Sequence, residues 1–155
     1  MGRYPHTDRW FESDEDRAAV EAAMRRTDCW DLRDRLVRTL SGGERQRVLL
    51  AACIAQQPEV LLLDEPSTHL DIDQQLHCFA VLREECARGA ACLVVTHDLN
   101  LALTYASRIV VLAGGRVAFD LPVAEAARTR GWLACFSSRL ELHTTAAGLP
   151  WVSYS

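Results

Sequence analysis

Two short apolar runs stand out along the chain, and neither alternates between apolar and polar positions. The first covers Val60–Leu63, directly after Pro58 and Glu59, and the second covers Ala91–Thr96. Unbroken apolar runs of this length are typical of strands that are buried on both faces of a parallel sheet. Apolar residues between the two runs follow helical spacing, so the pattern predicts a strand–helix–strand unit with a right-handed crossover.

The chain before the first run predicts helices and no strand. Ser13 and, three positions later, Asp16 have the spacing of a capping box that opens a helix. Ser41 and Glu44 repeat this spacing at the start of a second helix. The positions expected to be buried between these helices are Trp30, Leu32, Leu36 and Leu40. Residues 1–12 contain Gly, Pro and several polar groups, which indicates a loop rather than a signal peptide.

The helix between the two predicted strands has Asp71 as its N-cap and ends at Gly89. The residues that it is expected to bury are Ile72, Leu76, Phe79 and Cys86. Another helix follows the second strand, and hairpins complete the chain. The expected hairpins pair Ile109–Leu112 with Arg116–Phe119 and Leu140–Thr144 with Leu149–Tyr154, and a short helix covers Val123–Arg128.

This order of elements predicts an α/β fold in three segments. Residues 1–57 are expected to be helical, residues 58–130 to carry the parallel strands, and residues 131–155 to form a tail with a hairpin. The 155 residues are 49% hydrophobic and 25% charged, which is ordinary for a globular domain. No apolar run approaches about 18 residues, so no membrane-spanning helix is expected.

Charge and cysteine usage exclude some classes of function. The formal net charge is -4, which leaves no basic footprint for nucleic acid. All 17 basic residues are arginine, and the chain has no lysine. The six cysteines show no C-x-x-C spacing, so a structural zinc site or a disulfide framework is not expected. This cysteine usage predicts that the protein works in a reducing cytosol.

Polar side chains follow each predicted strand at its carboxyl end. Asp64 and Glu65 come directly after the first run, and Pro66 then ends the ladder. His97 follows the second run. Because parallel strands place their carboxyl ends at one edge of a sheet, these side chains are expected at the edge where open α/β sheets bind ligands. Taken singly, each has a plain alternative: acids that end a strand in solvent, and a surface histidine.

The helix start at Ser41 contains Gly42 and Gly43. A cap does not require two glycines, since each weakens a helix by up to about 1 kcal/mol relative to Ala. Glycines do let an anion approach the N–H groups at the positive end of a helix. The residues alone leave two readings open here, a phosphate-binding helix start and a plain cap.

Taken in order, these motifs resemble the ATPase subunit of ABC transporters. Leu40–Gln46 is similar to the signature motif of that family, and Val60–Glu65 is similar to its Walker B strand with the catalytic glutamate. Ser67–Asp71 resembles the D-loop, and His97 resembles the switch histidine. The resemblance covers about residues 1–130 and implies part of a P-loop NTPase core, with a helical subdomain before it and hairpins after it.

The resemblance also implies roles for single residues. Asp64 would hold Mg²⁺, Glu65 would act as general base or orient the attacking water, and His97 would hydrogen-bond the γ-phosphate of ATP. The residues expected to contact ATP held by a second ATPase subunit are Ser41, Gly42, Gly43 and Gln46, with Asp71 at the interface of the dimer. The other implied partners are transmembrane permease subunits, which would hold the protein at the inner face of the cell membrane.

The chain departs from the family in one respect that affects the mechanism. A Walker A loop reads G-x-x-x-x-G-K-[ST], and a chain without lysine cannot contain it. The adenine-stacking strand and the Q-loop glutamine are absent as well. We therefore expect the carboxyl-terminal part of such a subunit, inactive alone. Val60–Leu63 would then lack a sheet neighbour, leave apolar surface exposed and lower solubility.

The cargo and the alternatives complete the expectations. Gly2–His6 and Thr96–Ala102 resemble the subgroup that imports iron–siderophore complexes, haem or cobalamin. One alternative is a non-catalytic partner that lends its signature motif to another ATPase subunit, and another is an inert gene remnant. A soluble ABC-type protein that acts on chromosomes or ribosomes is disfavoured, because the chain has neither long heptad repeats nor a basic face.

Overall fold

The computed structural model describes residues 13–155, which divide into two compact units. The first unit ends at Val95 and the second begins at Thr96. The loop predicted for residues 1–12, and with it the Gly2–His6 stretch, lies outside the described residues.

Three helices and a two-stranded sheet form the described part of the first unit. The helices are α1 (Asp14–Arg26), α2 (Gly42–Ala55) and α3 (Ile72–Ala87), and the strands are β1 (Val60–Asp64) and β2 (Ala91–Val95). Two 3₁₀ turns, Trp30–Leu32 and Val37–Thr39, connect α1 to α2. The strands pair in parallel with Val60 opposite Ala91 and Asp64 opposite Val95. The predicted strand–helix–strand unit is therefore confirmed.

Side-chain caps fix where the helices begin. The Asp16 N–H donates to Ser13 Oγ over 3.1 Å, and the Ser13 N–H donates back to Asp16 Oδ2 over 3.1 Å. The same reciprocal pair joins Ser41 and Glu44 over 3.2 and 2.7 Å. Asp71 Oδ1 accepts from the N–H of Gln74 over 2.9 Å. All three predicted helix starts are confirmed, because a short polar side chain at each N-cap satisfies an N–H that has no partner inside the helix.

The core of the first unit covers one face of its sheet. Leu61 is 4% exposed and packs with buried residues of all three helices. On the other face, Leu62 is 72% exposed and Leu93 is 58% exposed, and Val60 and Val95 are exposed as well. The expectation that both faces are buried is wrong, because no described element covers this second face. The expectation of exposed apolar surface on the first strand is confirmed.

Some of the positions expected to be buried are not. Leu36 is 58% exposed, Ile72 is 75% exposed, Leu76 is 42% exposed and Cys86 is exposed. The buried stripe of α3 consists of Cys78, Phe79, Val81, Leu82 and Glu85. Spacing identified the helix correctly, and Phe79 and Leu32 are buried as expected. Ile72 and Leu76 form a second apolar stripe, and periodicity alone does not say which stripe meets the core.

The second unit is built from two hairpins and short helices. Its strands are β3 (Arg108–Ala113), β4 (Arg116–Pro122), β5 (Leu140–Thr144) and β6 (Pro150–Tyr154). Its helices are α4 (Leu99–Tyr105) and α5 (Val123–Ala126), with a 3₁₀ turn at Gly131–Cys135. Both predicted hairpins are confirmed, and the predicted short helix ends at Ala126 rather than Arg128. No helix in the described part of the chain is long and apolar enough to cross a membrane.

Trp132 anchors the core of this second unit. Its side chain is fully buried, and its Nε1 donates to the carbonyl oxygen of Ala126 over 2.9 Å. Asn100 of α4 bonds β6 through both ends of its amide, donating to the Val152 oxygen over 3.1 Å and accepting the Val152 N–H over 2.7 Å. The last hairpin therefore belongs to the packed unit.

Candidate functional site

The predicted acid pair lies at the carboxyl end of β1. Asp64 is the last residue of the strand and is exposed, whereas Glu65 is half-buried. The Glu65 N–H donates to the carbonyl oxygen of Val95 over 2.9 Å, so the ladder with β2 continues one residue beyond the strand. Two acidic residues therefore follow one another at the carboxyl end of β1, with Asp64 exposed and the Oε2 of Glu65 buried.

Glu65 holds an unusual backbone conformation. Its φ is +47°, in the left-handed region that non-glycine residues rarely adopt. Such a conformation costs on the order of 1–3 kcal/mol and persists where surrounding bonds impose it. The Glu65 carbonyl oxygen accepts the N–H of Thr68 over 3.1 Å, and the Pro66 oxygen accepts Gln46 Nε2 over 3.0 Å. These bonds hold the turn that carries the Glu65 carboxylate.

Gln46 joins the start of α2 to this turn. The structure gives Gln46 a contact within its own chain. Besides Pro66, its Nε2 also lies 3.5 Å from the Glu65 carbonyl oxygen. The amide therefore ties the glycine-bearing helix start to the segment that follows the acid pair.

The two glycines of α2 lie against the loop that follows β1. A Cβ on Gly42 would lie 3.1 Å from the Cβ of His69, and a Cβ on Gly43 would lie 3.0 Å from the His69 carbonyl oxygen. His69 itself has a φ of +67°. The close approach of this loop is thus a reason for two adjacent glycines that capping does not give, and it stands beside the phosphate-binding reading.

A shallow cleft of about 350 Å³ opens where this helix start meets the loop. Its lining brings the predicted site residues Ser41, Gly42 and Gly43, at the start of α2, together with Asp71. The residues that line it are Ser41, Gly42, Gly43, Glu44, Arg47, His69, Leu70, Asp71 and Gln74. The motif residues at positions 41–43 and 71 therefore share one surface of the first unit.

Hydrogen bonds set the charge of this cleft. The backbone N–H of Ser41, and to a smaller degree its hydroxyl and the nearby Arg35, hold the pKa of Glu44 below its usual value. Arg35 Nη1 lies 2.8 Å from Glu44 Oε1. Arg47 Nη1 lies 3.2 Å from Asp28 Oδ2 and also donates to the Asp28 carbonyl oxygen. The N–H groups of Ser41 and Glu44 serve the capping box, so the N–H groups of Gly42 and Gly43 are the part of this helix start suited to an anion.

Five residues of the cleft lining were not predicted as site residues, namely Glu44, Arg47, His69, Leu70 and Gln74. Gln74 Oε1 is buried and accepts no hydrogen bond from the described residues. Only the fold brings Gln74 to the cleft, since no local sequence signal separates it from an ordinary first-turn glutamine.

His97 belongs to the second unit. It lies two residues after Val95, the partner of Asp64 in the sheet, and its side chain is exposed. Next to it, Asp98 Oδ1 caps α4 by accepting the N–H of Leu101 over 2.9 Å, and the Asp98 N–H donates to Thr96 Oγ1 over 3.1 Å. The strand end and the cap determine the local backbone of His97, while its closeness to Glu65 stays a prediction.

Solved structures place this arrangement in one class of protein. The chain matches an inward-facing metal-chelate type ABC transporter over 100% of its own length and 62% of that chain, with a TM-score of 0.80 and 21% identity. It also matches the dimeric post-hydrolysis structure of the ATP-binding cassette MJ0796 bound to ADP and Pi. That match covers 76% of this chain and 51% of the other, with a TM-score of 0.68 and 26% identity. The fold is that of an ABC ATPase cassette.

The sequence comparison gives a partial family match. Residues 3–68, less than half of the chain, match the family described as ABC transporter. The chain is 48% identical over 118 residues to the cobalamin import ATP-binding protein BtuD of Halobacterium salinarum, covering 76% of this chain and 29% of that protein. It is 47% identical over 125 residues to the hemin import ATP-binding protein HmuV of Rhodococcus jostii, covering 81% and 42%.

A third relative has a different cargo in its name. The ferric enterobactin transport ATP-binding protein FepC of Escherichia coli is 43% identical over 120 residues, covering 75% of this chain and 44% of that protein. The chain spans less than half the length of each of these three relatives.

Proposed function

We propose that this chain contributes the hydrolytic and signature parts of the ATPase of an ABC importer. The phosphate-cradling Walker A loop would come from polypeptide outside these 155 residues. The observation that carries the proposal is the turn at Glu65. There an acid pair ends a parallel strand, and Gln46 of the capped, glycine-bearing helix bonds the Pro66 oxygen over 3.0 Å.

The donor chemistry of the strand end suits magnesium. Mg²⁺ prefers oxygen ligands, and proteins often hold it by one or two carboxylates together with phosphate oxygens and water. Asp64 offers an exposed carboxylate at the sheet edge. Among the described residues no group of three or more His, Cys, Asp or Glu could hold a metal ion, so Asp64 would hold Mg²⁺ together with the nucleotide. When bound, the ion would neutralise part of the phosphate charge.

Glu65 would accept a hydrogen bond from the attacking water and receive its proton as the water oxygen bonds to the γ-phosphorus. The bond from that phosphorus to the β,γ-bridging oxygen breaks, and ADP leaves with the electron pair. His97 would donate a hydrogen bond to a γ-phosphate oxygen. A carboxylate fixed by a constrained backbone suits this role, because general bases act through position before pKa.

The cleft at the start of α2 would face the nucleotide of a second ATPase subunit. The Ser41 hydroxyl and the N–H groups around Gly42 and Gly43 are donors for phosphate oxygens, and the helix dipole favours negative charge there. Gln46 would contact the same nucleotide, and Asp71 would lie at the subunit interface. The shared lining of the cleft by Ser41, Gly42, Gly43 and Asp71 supports this part of the proposal.

The names of the relatives suggest the cargo. They refer to cobalamin, hemin and ferric enterobactin. We propose import of an iron–siderophore complex, haem or cobalamin through transmembrane permease subunits, with the ATPase at the inner face of the membrane.

The test is ATP hydrolysis by this chain mixed with the amino-terminal part of a relative that carries G-x-x-x-x-G-K-[ST]. We expect neither polypeptide to hydrolyse ATP alone and the mixture to do so. Glu65→Gln should slow hydrolysis by about a hundredfold or more. Glu59→Gln is the matched control, because Glu59 is an exposed acid at the other end of the same strand. An equal loss in both variants, or an active chain without its partner, would refute the assignment.

One observation favours a second candidate, the non-catalytic partner. This chain supplies the cleft at the start of α2 with its motif residues Ser41, Gly42, Gly43 and Asp71, whereas a Walker A lysine is absent from the sequence. The test mixes this chain with an intact ATPase subunit and measures ATP hydrolysis. If the chain is a non-catalytic partner, Ser41→Arg in it should abolish its effect on hydrolysis, and Glu65→Gln in it should leave that effect unchanged. Loss of hydrolysis with both variants would favour the first proposal.

A further inference from the structure

Asn100 ties the helix that follows His97 to the last hairpin of the chain. Its Nδ2 donates to the Val152 carbonyl oxygen over 3.1 Å, and its Oδ1 accepts the Val152 N–H over 2.7 Å. Asn100 lies in the first turn of α4, three residues after His97, and Val152 is the central residue of β6. We infer that Asn100 is a positioning residue for His97, through which the last hairpin holds His97 in place. The inference rests on the proposed role of His97 toward the γ-phosphate.

The backbone of Val152 has no hydrogen-bond partner within its own hairpin. Bonded and non-bonded residue pairs alternate along an antiparallel ladder. The Thr145 N–H donates to the Leu149 carbonyl oxygen over 2.8 Å, so these two residues form a bonded pair. Leu142 stands opposite Val152 three residues further along, and the two are therefore a non-bonded pair. Because Val152 is buried, its N–H and carbonyl groups need partners, and Asn100 supplies both.

Helix α4 depends on this hairpin for its position. It has only seven residues, and helices shorter than about 12 residues are marginal without tertiary contacts. Leu103 of α4 is 3% exposed and belongs to the same core cluster as Leu142 and Val152. Asn100 lies three residues before Leu103, on the same face of the helix. Apolar contact alone is not directional, whereas the two hydrogen bonds of the amide fix where α4 meets β6.

The backbone of His97 has little freedom once α4 is fixed. The Asp98 N–H donates to Thr96 Oγ1 over 3.1 Å, and Asp98 Oδ1 accepts the Leu101 N–H over 2.9 Å. These two bonds enclose His97 between the end of β2 and the first turn of α4. A shift of α4 along β6 would therefore carry His97 with it. A misplacement of about 1 Å in a catalytic site can lower the rate by about a hundredfold.

The first experiment follows the carbon-bound ring protons of His97 by NMR in the folded 155-residue chain. Asn100→Ala removes both bonds to Val152 and should shift these resonances. Thr145→Ala is the matched control, because it removes a bond between a side chain and the backbone from the same hairpin and leaves the tie intact. It should leave the His97 resonances in place. Asn100→Asp keeps the acceptor and loses the donor, and it should also shift them. This second variant decides the question if Asn100→Ala does not fold.

The second experiment measures ATP hydrolysis after each variant is mixed with the amino-terminal part of a relative that supplies the Walker A loop. Asn100→Ala should lower kcat by up to about a hundredfold and leave KM nearly unchanged. His97→Ala should lower kcat at least as much. The double variant should be no slower than His97→Ala, because a residue that acts only through His97 has no effect once His97 is gone. Losses that multiply in the double variant would show a general structural role and overturn the inference.

The two experiments separate this inference from the proposed function. Unchanged His97 resonances in a folded Asn100→Ala chain overturn the inference, and so does an equal shift in Thr145→Ala. Hydrolysis that survives His97→Ala, or a mixture that stays inactive, contradicts the proposed function instead. The NMR result then still decides whether Asn100 holds His97 in place.

Discussion

Gly43→Ala tests whether the loop after β1 sits on the start of α2. The added methyl group would lie 3.0 Å from the His69 carbonyl oxygen and 3.5 Å from Leu70 Cδ2. The first distance is well inside ordinary carbon–oxygen contact, and the obstacle is backbone, which cannot rotate away. Overpacking of this kind costs about 1–3 kcal/mol.

The substitution also has a favourable term. Ala stabilises a helix over Gly by up to about 1 kcal/mol. The two terms together predict a net destabilisation of about 1 kcal/mol, which lowers the melting temperature of a chain of this size by about 2–4 °C. Thermal unfolding followed by circular dichroism measures it.

Gly131→Ala is the matched control. A Cβ there would lie 3.8 Å from the Phe119 ring, which is ordinary contact, so this variant should be neutral or more stable by up to about 1 kcal/mol. If Gly43→Ala is stabilised as much as Gly131→Ala, the loop does not press on the helix start, and the cleft as described is wrong.

Three further predictions follow from the first unit. The hydrogen bond from the Ser41 N–H is the largest of the effects that hold the pKa of Glu44 below its usual value of 4.5. The ionised Glu44 carboxylate therefore stabilises the folded chain at pH values above 4.5. This stabilisation is lost as the pH falls through the lowered pKa of the folded state. Urea unfolding over this acid range should show that loss in the wild type and less of it in Glu44→Gln. Leu61→Ala should cost about 2–5 kcal/mol in urea unfolding. Leu62→Ala, at an exposed position of the same strand, should cost less than about 0.5 kcal/mol, and equal losses would contradict the one-sided sheet. Sedimentation velocity should show less self-association for Leu62→Arg than for the wild type, because the substitution places a charge on the exposed apolar face.

Local signals in the sequence predicted most of the elements. Capping boxes at Ser13 and Ser41 gave two helix starts, and the glycine pair at positions 114 and 115 gave a hairpin. These features succeed because cap and turn chemistry depends on residues a few positions apart.

Long-range packing limited the rest. Ile72 and Leu76 have helical spacing but face solvent, because which stripe of α3 is buried depends on where β2 lies. The left-handed backbone of Glu65 and the tie from Gln46 to Pro66 also have no local signature. The acid pair was predictable as a pair of residues, while the constraint on it required the fold.

The proposed mechanism needs the Glu65 carboxylate and the His97 imidazole to act on one nucleotide. The most direct test is the NMR spectrum of the His97 ring in the wild type, in Glu65→Gln and in the control Glu59→Gln. We predict that Glu65→Gln shifts the carbon-bound proton resonances of His97 and that Glu59→Gln leaves them in place. Unchanged His97 resonances in a folded Glu65→Gln chain would contradict the account.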